Sequence, residues 1–220
     1  HDHDLAGERV AVIGTGASAI QIVPSIAPRV SDLLVFQRTA PWLVPRRDRA
    51  FAAWERTLFR IAPPLQRLYR WSIYLRQEFG ALAFLGSGRL RRFFERAARR
   101  YLRDSVADPA LRRAVTPDYA IGCKRILISN DWYPALQREN VELVSDGIER
   151  VTARGIVTRD GREREVDTII LATGFAATDF LAPITVFGLD GVELSEAWKS
   201  GAATHLGIAA AGFPNFYMVV

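Results

Sequence analysis

The sequence predicts an α/β fold: a Rossmann-like domain that carries a helical insertion and a β-meander. Three observations predict it. A short apolar run at residues 9–14 leads through glycines into a helical pattern and then into a second apolar run at residues 33–37. Helical patterns rich in arginine and aromatic residues occupy residues 40–115, and from residue 141 short strands alternate with turn signals.

The first element is a βαβ unit. RVAVIG and LLVFQ are short apolar runs of the kind that form buried parallel strands. Between them, Ile20, Val23 and Ile26 recur at helical spacing and predict a helix with one apolar face. Pro24 removes a backbone donor from that helix, so we expect a kink there. The crossover between the two strands should be right-handed.

The second element is the helical insertion at residues 40–115. Its clearest helix is GRLRRFFERAARRYLRDSV. The predicted apolar stripe of that helix consists of Leu90, Phe93, Phe94, Ala97, Tyr101 and Leu102. The arginines predicted to lie away from the stripe are Arg92, Arg96, Arg99 and Arg103. Pro63 and Pro64 suit the first turn of another helix, and Asp108 is placed to cap a third helix before Pro109.

The third element is the stretch VELVSDGIERVTARGIVTRDGREREVDTIILATGF. Its short strands are separated by Asp146-Gly147, Arg154-Gly155 and Asp160-Gly161, which favour tight turns, so we expect a meander. TIILATG then predicts another buried strand that runs into glycine.

Composition narrows the class of protein. Apolar residues make up 49% of the chain and charged residues 24%, as is usual in globular proteins. No apolar run is long enough to cross a bilayer. Cys123 is the single cysteine, so we expect no intramolecular disulfide, a cytoplasmic location and a small buried side chain at that position. His1, His3 and His205 form no metal-ligand pattern, and no metal site is predicted.

The net charge of +5 is unevenly distributed. Residues 46–113 contain 17 arginines and six acidic residues, a composition that could hold nucleic acid or an anionic membrane surface. The aromatic residues of this segment are Trp54, Tyr69, Trp71, Phe93 and Tyr101. They fall mainly on apolar helix faces, so we expect them to face a core beneath solvated arginines. Nucleic-acid binding is therefore not predicted, whereas peripheral membrane contact stays open.

A glycine pattern links the first strand to the first helix. Gly14, Gly16 and Ala19 form G-x-G-x-x-A. In such a pattern the first glycine permits a tight turn, the second lets the backbone approach a pyrophosphate, and the small third residue allows close helix packing. The helix N-terminus adds N–H groups and a positive dipole end for phosphates. This context indicates a dinucleotide site; the alternative is a tight turn in a Rossmann unit that binds no ligand.

An arginine follows the second strand, where many dinucleotide sites have an acidic residue. A carboxylate there would repel a 2′-phosphate, whereas the guanidinium of Arg38 can pair with it in a bidentate fork. The position therefore favours NADP(H), with a merely solvated arginine as the alternative. Because no group in the chain is suited to accept a hydride, a second cofactor is expected to bind elsewhere.

The sequence resembles the NADPH-dependent flavin monooxygenases, and within them the Baeyer-Villiger monooxygenase type. The segments that carry the resemblance are, in order, GTGASAIQ, VFQRTAPW, CKRILISNDWYPAL, NVELV, GI, REVDTIILATGF and GFPNF. They cover most of the chain outside the insertion. In that family an FAD-binding domain is split around an NADP-binding domain, so the resemblance implies part of a two-dinucleotide-binding-domain flavoprotein.

The resemblance also implies domain limits. Residues 1–39 and 116–171 correspond to the NADP-binding Rossmann-like domain, residues 40–115 to its helical insertion, and residues 172–220 to a return into an incomplete FAD-binding domain. The sequence begins without methionine, ends at FYMVV as if within a buried strand, and lacks the family's FAD fingerprint and F-x-G-x-x-x-H segment. We therefore expect an internal fragment that is inactive alone.

Individual residues take roles from the resemblance. Arg38 and Thr39 match the family's 2′-phosphate contacts, and Lys124 adds a second positive charge there. Arg125, otherwise half of an ordinary surface pair, matches the arginine near the flavin and is the predicted catalytic residue. The other predicted cofactor-binding residues are Gly14, Thr15, Gly16, Ser18, Ala19, Gln21, Thr173 and Gly174. The implied cofactors are FAD and NADP, and the implied reaction converts a small ketone and O2 into an ester or lactone.

Related activities remain as alternatives. Other flavin monooxygenases oxidise nitrogen or sulfur atoms of small molecules, a reaction that needs a protonated hydroperoxide. Arg125, which cannot supply a proton at neutral pH, and the missing F-x-G-x-x-x-H segment are the features that discriminate between the two activities. N-hydroxylating enzymes are a second alternative, for which the helical insertion is unexpected. A basic helical binding module is a remote third. No oligomeric state is predicted.

Overall fold

The apolar runs of the sequence form a parallel sheet in the first of two structural units. The units are His1–Gly174 and Phe175–Val220. The computed structural model describes residues 3–46, 48–85, 88–175, 181 and 184–218, with the backbone alone for residues 81–85. His1 and the last two residues of FYMVV lie outside the described residues.

The elements of the first unit are numbered in chain order. The strands are β1 (Arg9–Ile13), β2 (Asp32–Phe36), β3 (Leu43–Val44), β4 (Leu127–Ile128), β5 (Val141–Val144), β6 (Ile148–Val151), β7 (Gly155–Thr158), β8 (Glu163–Glu165) and β9 (Thr168–Leu171). The helices are α1 (Ala19–Ile26), α2 (Ala53–Ile61), α3 (Pro63–Leu85), α4 (Gly88–Ser105), α5 (Pro109–Ala114) and α6 (Trp132–Leu136).

Four parallel strands form the central sheet in the order β5-β2-β1-β9. Val10 of β1 pairs with Leu33 of β2 and Thr168 of β9, so the carboxyl ends of the strands meet at one edge. Alternate residues face opposite sides: Leu33 packs with α1 and α6, whereas Ala11 packs with Ile156 of β7. The predicted α/β, Rossmann-like class is confirmed.

The short helix α1 packs its apolar side on the sheet. Ile20 and Val23 are buried, as their helical spacing predicts. The helix continues through Pro24 to Ile26, and the N–H of Ala27 still donates to the Val23 carbonyl at 3.0 Å. Pro24 therefore does not end the helix.

Two predicted helix starts are confirmed. α3 begins at Pro63. The carboxylate of Asp108 caps α5 by accepting the N–H groups of Leu111 at 2.9 Å and Ala110 at 3.0 Å, with Pro109 in the first helical position. These bonds lower the pKa of Asp108. The cap at Asp108 satisfies helix-end donors that would otherwise lack partners.

The buried side of α4 is rotated from the predicted stripe. Ala98 and Leu102 are buried, whereas Phe93 is 58% exposed and Ala97 is exposed. The predicted stripe is wrong at Phe93 and Ala97 and right at Leu102. Arg99, which was expected to point away from the stripe, is partly buried.

The side chain of Arg99 accounts for the rotation of α4. Its guanidinium lies 5.0 Å from the Trp42 ring centroid and bonds the Glu95 carboxylate at 3.0 Å. A cation over an aromatic ring gains electrostatic stabilisation and buries its apolar stem. This contact turns the side of α4 that carries Arg99 toward Trp42.

The aromatic residues of α2 and α3 do not face a core as predicted. Trp54 is 67% exposed and Trp71 is 60% exposed. Tyr69 instead contacts Phe51, with ring centroids 5.6 Å apart. Of the five predicted aromatic residues, only Tyr101 packs against the core that covers the central sheet, and its hydroxyl donates to the Ser129 carbonyl at 2.8 Å. Among the described residues, no helix has the length and apolar character needed to cross a membrane.

The meander contains three antiparallel strands, β6, β7 and β8. The prediction was wrong for VELV, which forms β5 and pairs in parallel with β2. The reason is burial, because Val144 packs against Phe36 on the sheet, a gain that the local turn signal does not reveal.

The reversal predicted at Arg154-Gly155 is present between β6 and β7, and it occupies residues 152–154. Gly155 begins β7, and a Cβ added there would lie 2.9 Å from the Cα of Glu165 and closer still to the main chain of Arg164. The chain reverses just before it, where the Thr152 hydroxyl accepts the N–H groups of Arg154 and Gly155. Glycine is needed here because two strands approach closely.

The second unit has little regular structure among its described residues. It contains the 3-10 turn Leu189–Gly191 and helix α7 (Leu194–Ala197). Its small core is formed around Leu194 and Phe213. Tyr217 forms an isolated bridge and is 65% exposed, so the buried strand expected at the end of the sequence is wrong for this residue.

A clamp of charged groups fixes the start of β9 to the start of β1. The Arg9 guanidinium bonds Asp167 at 2.7 Å and Glu165 at 2.6 Å. The backbone N–H of Arg9 donates to the Asp167 carboxylate at 2.9 Å, and that of Asp167 donates to the Arg9 carbonyl at 2.8 Å. The guanidinium and backbone N–H of Arg9 lower the pKa of Asp167 to about 2.

Removing this carboxylate should lower stability in a pH-dependent way. Because the pKa of Asp167 is lower in the folded chain than its usual value of about 4, its stabilising effect is present above that value and disappears as the pH falls through about 2. We expect Asp167→Asn to lower the midpoint of urea unfolding at pH 7, with the difference vanishing near pH 2. Asp146→Asn, at an exposed carboxylate, is the control, and equal effects of the two changes would contradict the clamp.

Candidate functional site

The turn between β1 and α1 is crossed by the chain that leaves β9. Gly14 has a φ of 116°, a conformation that favours glycine. Its N–H donates to the Phe36 carbonyl at 3.0 Å, and the N–H of Ala172 donates to the Ile13 carbonyl at 2.9 Å. A Cβ added at Gly14 would lie 2.9 Å from the carbonyl carbon of Ala172 and closer still to its oxygen. Backbone conformation and close approach therefore both require glycine.

Gly16, two residues later, lies on the open side of the same loop. A Cβ added there would meet no atom within 4 Å. Ser18 precedes α1 and its hydroxyl makes no capping bond, while Ala19 is fully buried against the sheet. The N–H of Ile20 donates to the Gly16 carbonyl at 3.1 Å, whereas the N–H groups of Ala17, Ser18 and Ala19 have no acceptor among the described residues. These donors and the positive dipole end lie at the start of α1. The loop can therefore receive an anion.

The segment after β2 adjoins the glycine loop. The Thr15 hydroxyl donates to the Thr39 carbonyl at 3.0 Å. Arg38 is exposed and makes no ion pair or side-chain hydrogen bond with any described residue. Gln37 is buried, and its Nε2 donates to the carbonyl of Ala114 at 2.8 Å. Arg38 therefore lies beside the loop, and none of its five donors is used by a described residue.

A two-stranded sheet brings the basic pair Lys124-Arg125 toward the segment after β2. β3 and β4 pair in parallel, with Leu43 beside Leu127. Thr39 precedes β3 by four residues and Arg125 precedes β4 by two, so both segments approach the same end of this small sheet. The N–H of Leu127 also donates to the Trp42 carbonyl at 2.8 Å.

An aromatic platform supports Lys124. Its Nζ lies 4.7 Å from the Tyr119 ring centroid, and the indole N–H of the buried Trp42 donates to the Tyr119 carbonyl at 2.9 Å. Sequence reasoning missed these supports and also Gln37. The tryptophan of VFQRTAPW was a usable signal for Trp42, because a large buried aromatic residue after a strand often anchors a loop.

Other predicted residues occupy less direct positions. The side-chain amide of Gln21 donates to the Ala17 carbonyl at 2.8 Å, so only its oxygen is left for a ligand. Thr173 and Gly174 follow the crossing at Ala172 and are exposed, with Gly174 at a φ of 88°. Arg125 is exposed beside Lys124.

Cys123 is exposed, so the predicted burial is wrong. The reason is local: Ile121 takes the buried position in this turn. In the described ranges of the chain, no group of three His, Cys, Asp or Glu side chains could hold a metal ion. The features in this region are suited to an anion. They are the N–H groups at the start of α1, Arg38 after β2, and the basic pair Lys124-Arg125 before β4.

The two glycines of the loop should respond differently to an added methyl group. Gly14→Ala should lower the free energy of unfolding by roughly 2 kcal/mol or more, because it combines an unfavourable φ with a clash against Ala172. Gly16→Ala should leave stability nearly unchanged but obstruct an approaching phosphate. Urea unfolding and titration with NADP+ measure the two effects.

Each variant is the control for the other. A Gly16→Ala chain as unstable as Gly14→Ala, or one that binds the nucleotide as tightly as the parent chain, would contradict this account of the loop.

Curated relatives match the whole chain. A protein from Pseudomonas aeruginosa named Baeyer-Villiger monooxygenase is 49% identical over 220 residues, and one of the same name from Streptomyces coelicolor is 48% identical over 220 residues. These alignments cover 100% of the chain and 42% of each relative, so the chain spans about two-fifths of their length. No family model matches the sequence.

Solved structures are similar as well. The crystal structure of OTEMO in complex with FAD and NADP matches with a TM-score of 0.81 and 31% identity, over 99% of this chain and 47% of that one. The closed crystal structure of cyclohexanone monooxygenase matches with a TM-score of 0.80 and 28% identity, over 100% of this chain and 48% of that one. The resemblance that the motifs indicated is thereby confirmed along the whole chain.

Proposed function

From its relationship to the Baeyer-Villiger monooxygenases, we propose that this chain forms the NADP-binding part of an FAD- and NADPH-dependent monooxygenase. The proposed reaction inserts one oxygen atom of O2 into a ketone and gives an ester or lactone, while the other oxygen atom is reduced to water and NADPH is oxidised to NADP+. The observation that carries the proposal is the open glycine loop with an exposed arginine, Arg38, just after β2, in a chain 49% identical to a named enzyme of this type.

The residues present fit NADP. A Cβ would occupy the open side of Gly16, which is the space that a pyrophosphate needs. The end of β2 carries Arg38 in place of a carboxylate, which suits a 2′-phosphate. When bound, NADPH supplies a hydride and FAD supplies the chemistry that activates O2.

The roles of this chain's residues follow from their positions. The loop from Gly14 to Ala19 binds the pyrophosphate through backbone N–H groups, with Ser18 adding a hydroxyl. Arg38, Thr39 and Lys124 bind the 2′-phosphate, and Tyr119 holds the ammonium of Lys124 in place.

We assign Arg125 to the oxygen-insertion step. A guanidinium stays protonated at neutral pH and donates hydrogen bonds without giving up a proton. Placed at the reacting atoms, Arg125 would stabilise the negative charge that develops on the ketone oxygen. Its exposure and freedom from ion pairs within the described part of the chain leave its donors available.

We also propose that residues 172–220 belong to the FAD-binding part of the enzyme, with residues 1–39 and 116–171 as the NADP-binding domain. The contact between Gly14 and Ala172 supports this division, because it places the exit from β9 directly against the nucleotide loop. Thr173 and Gly174 would then lie between the two cofactors.

Arg125→Ala tests the proposed reaction. The complete chain that the gene encodes, loaded with FAD, is incubated with NADPH, O2 and a cyclic or aryl ketone, and the product is identified by its mass. We expect an ester or lactone one oxygen atom heavier than the ketone. Removing a donor that stabilises developing negative charge should lower kcat about 100-fold or more.

Arg138→Ala is the matched control. Arg138 follows α6 in the sequence, is exposed, and its side chain makes no hydrogen bond or ion pair with described residues. It should retain the parent activity. If the ketone is recovered unchanged while a thioether or amine is oxidised equally by the parent enzyme and by Arg125→Ala, the enzyme is a heteroatom monooxygenase and the proposal fails.

A further inference from the structure

A cleft rich in arginine lies between α4 and α5 of the insertion. Its volume is about 370 Å³. The residues that line it, called here the arginine cleft, are Arg96, Arg99, Leu102, Arg103, Arg112 and Thr116. None of them belongs to the glycine loop or to the basic pair before β4.

Helix geometry explains why the guanidinium groups converge. Arg96, Arg99 and Arg103 are spaced by three and four residues, so they share one side of α4. Arg112 approaches from α5, the helix that follows the chain reversal at Asp108. The side chains of four arginines therefore line one opening.

Two of the four arginines are held rigidly. Nε and one terminal nitrogen of Arg112 donate to the Val106 carbonyl at 2.9 and 2.7 Å, and the same terminal nitrogen donates to the Ala107 carbonyl at 2.9 Å. Arg99 is fixed between Glu95 and the ring of Trp42. Groups held in place before binding lose little conformational entropy when a ligand arrives.

The other two arginines are uncompensated. Within the described residues, Arg96 and Arg103 form no ion pair and no side-chain hydrogen bond. Glu95 neutralises one cation at most, so the arginine cleft keeps a clear excess of positive charge. Mutual repulsion of like charges across a partly enclosed space is relieved by a bound anion.

We propose that the arginine cleft binds the phosphate group of an anionic ligand, at a site separate from the glycine loop. A doubly charged phosphate matches the two forks of Arg96 and Arg103 better than a single carboxylate does, and the bonded Arg99 and Arg112 add positive charge beside them. Buried Leu102 leaves an apolar floor for a small organic group attached to that phosphate. This inference does not depend on the proposed monooxygenase activity.

Calorimetric titration with inorganic pyrophosphate tests the site. The complete chain is first saturated with NADP+ so that the nucleotide loop is filled. We expect saturable binding that weakens about 10-fold or more in Arg96→Gln/Arg103→Gln, since two charge-assisted contacts are lost. Glutamine keeps the helix, and circular dichroism checks the fold.

The matched control is Arg89→Gln/Arg91→Gln, which removes the same charge from exposed positions of the same helix outside the cleft. It should change binding less than about 2-fold if the site rather than general charge binds the anion. Absence of binding or equal weakening in both double variants would overturn the proposal. Pyrophosphate binding that is seen without NADP+ but not with it would overturn it as well.

A second arm distinguishes the source of the phosphate. Sedimentation with vesicles of phosphatidylglycerol, beside phosphatidylcholine vesicles, tests a lipid headgroup. Vesicle binding that is lost in Arg96→Gln/Arg103→Gln assigns the cleft to a lipid phosphate, and pyrophosphate binding without vesicle binding assigns it to a soluble one.

Discussion

The close approach of the exit from β9 to the glycine turn determines the geometry of the glycine loop. At Gly14 the backbone turns with a positive φ while the carbonyl of Ala172 occupies the space of a side chain. The register of β1 between β2 and β9, held at its start by Arg9 and Asp167, brings the two segments together. Because the turn is fixed at Gly14, the space beside Gly16 stays open, and the N–H groups of Ala17, Ser18 and Ala19 have no acceptor among the described residues.

The helical insertion is joined to the site and is not a separate appendage. Gln37, immediately before Arg38, is anchored to the Ala114 carbonyl at the end of α5. Trp42 is bonded to the Tyr119 carbonyl and covered by Arg99 of α4. The position of Arg38 after β2 therefore depends on packing within the insertion, and a change in α4 or α5 is expected to reach Arg38 through these bonds.

Features with a local cause were predictable from the sequence. The glycine turn, the strands β1 and β9 and the cap at Asp108 each follow from a short pattern with its own physical reason. The predicted burial of β9 was wrong at Leu171, which is 72% exposed because β9 lies at the edge of the sheet. Features decided by distant partners were not. VELV carries the same signal in a meander or in a parallel sheet, and its pairing with β2 depends on residues about one hundred positions away.

The same distinction holds for the candidate site. Arg38 could be proposed from its offset after β2, and Lys124 and Arg125 from the resemblance, but the supports at Gln37, Trp42 and Tyr119 were not foreseen. Periodicity also placed Phe93 and Ala97 on the buried side of α4, because it cannot register that a cation over Trp42 competes with apolar packing. Exposure of Cys123 was missed for a similar reason, since burial of Ile121 decides the direction of that turn.

The central claim is that the open loop and Arg38 together select a nucleotide with a 2′-phosphate. The most direct test measures the Kd of NADP+ and of NAD+ for the parent chain and for Arg38→Gln. We predict that the parent chain binds NADP+ more tightly and that the substitution weakens NADP+ roughly 10- to 100-fold, as expected for lost charge-assisted hydrogen bonds, with little effect on NAD+. Equal affinity of the parent chain for the two nucleotides, or an equal loss for both in the variant, would contradict it.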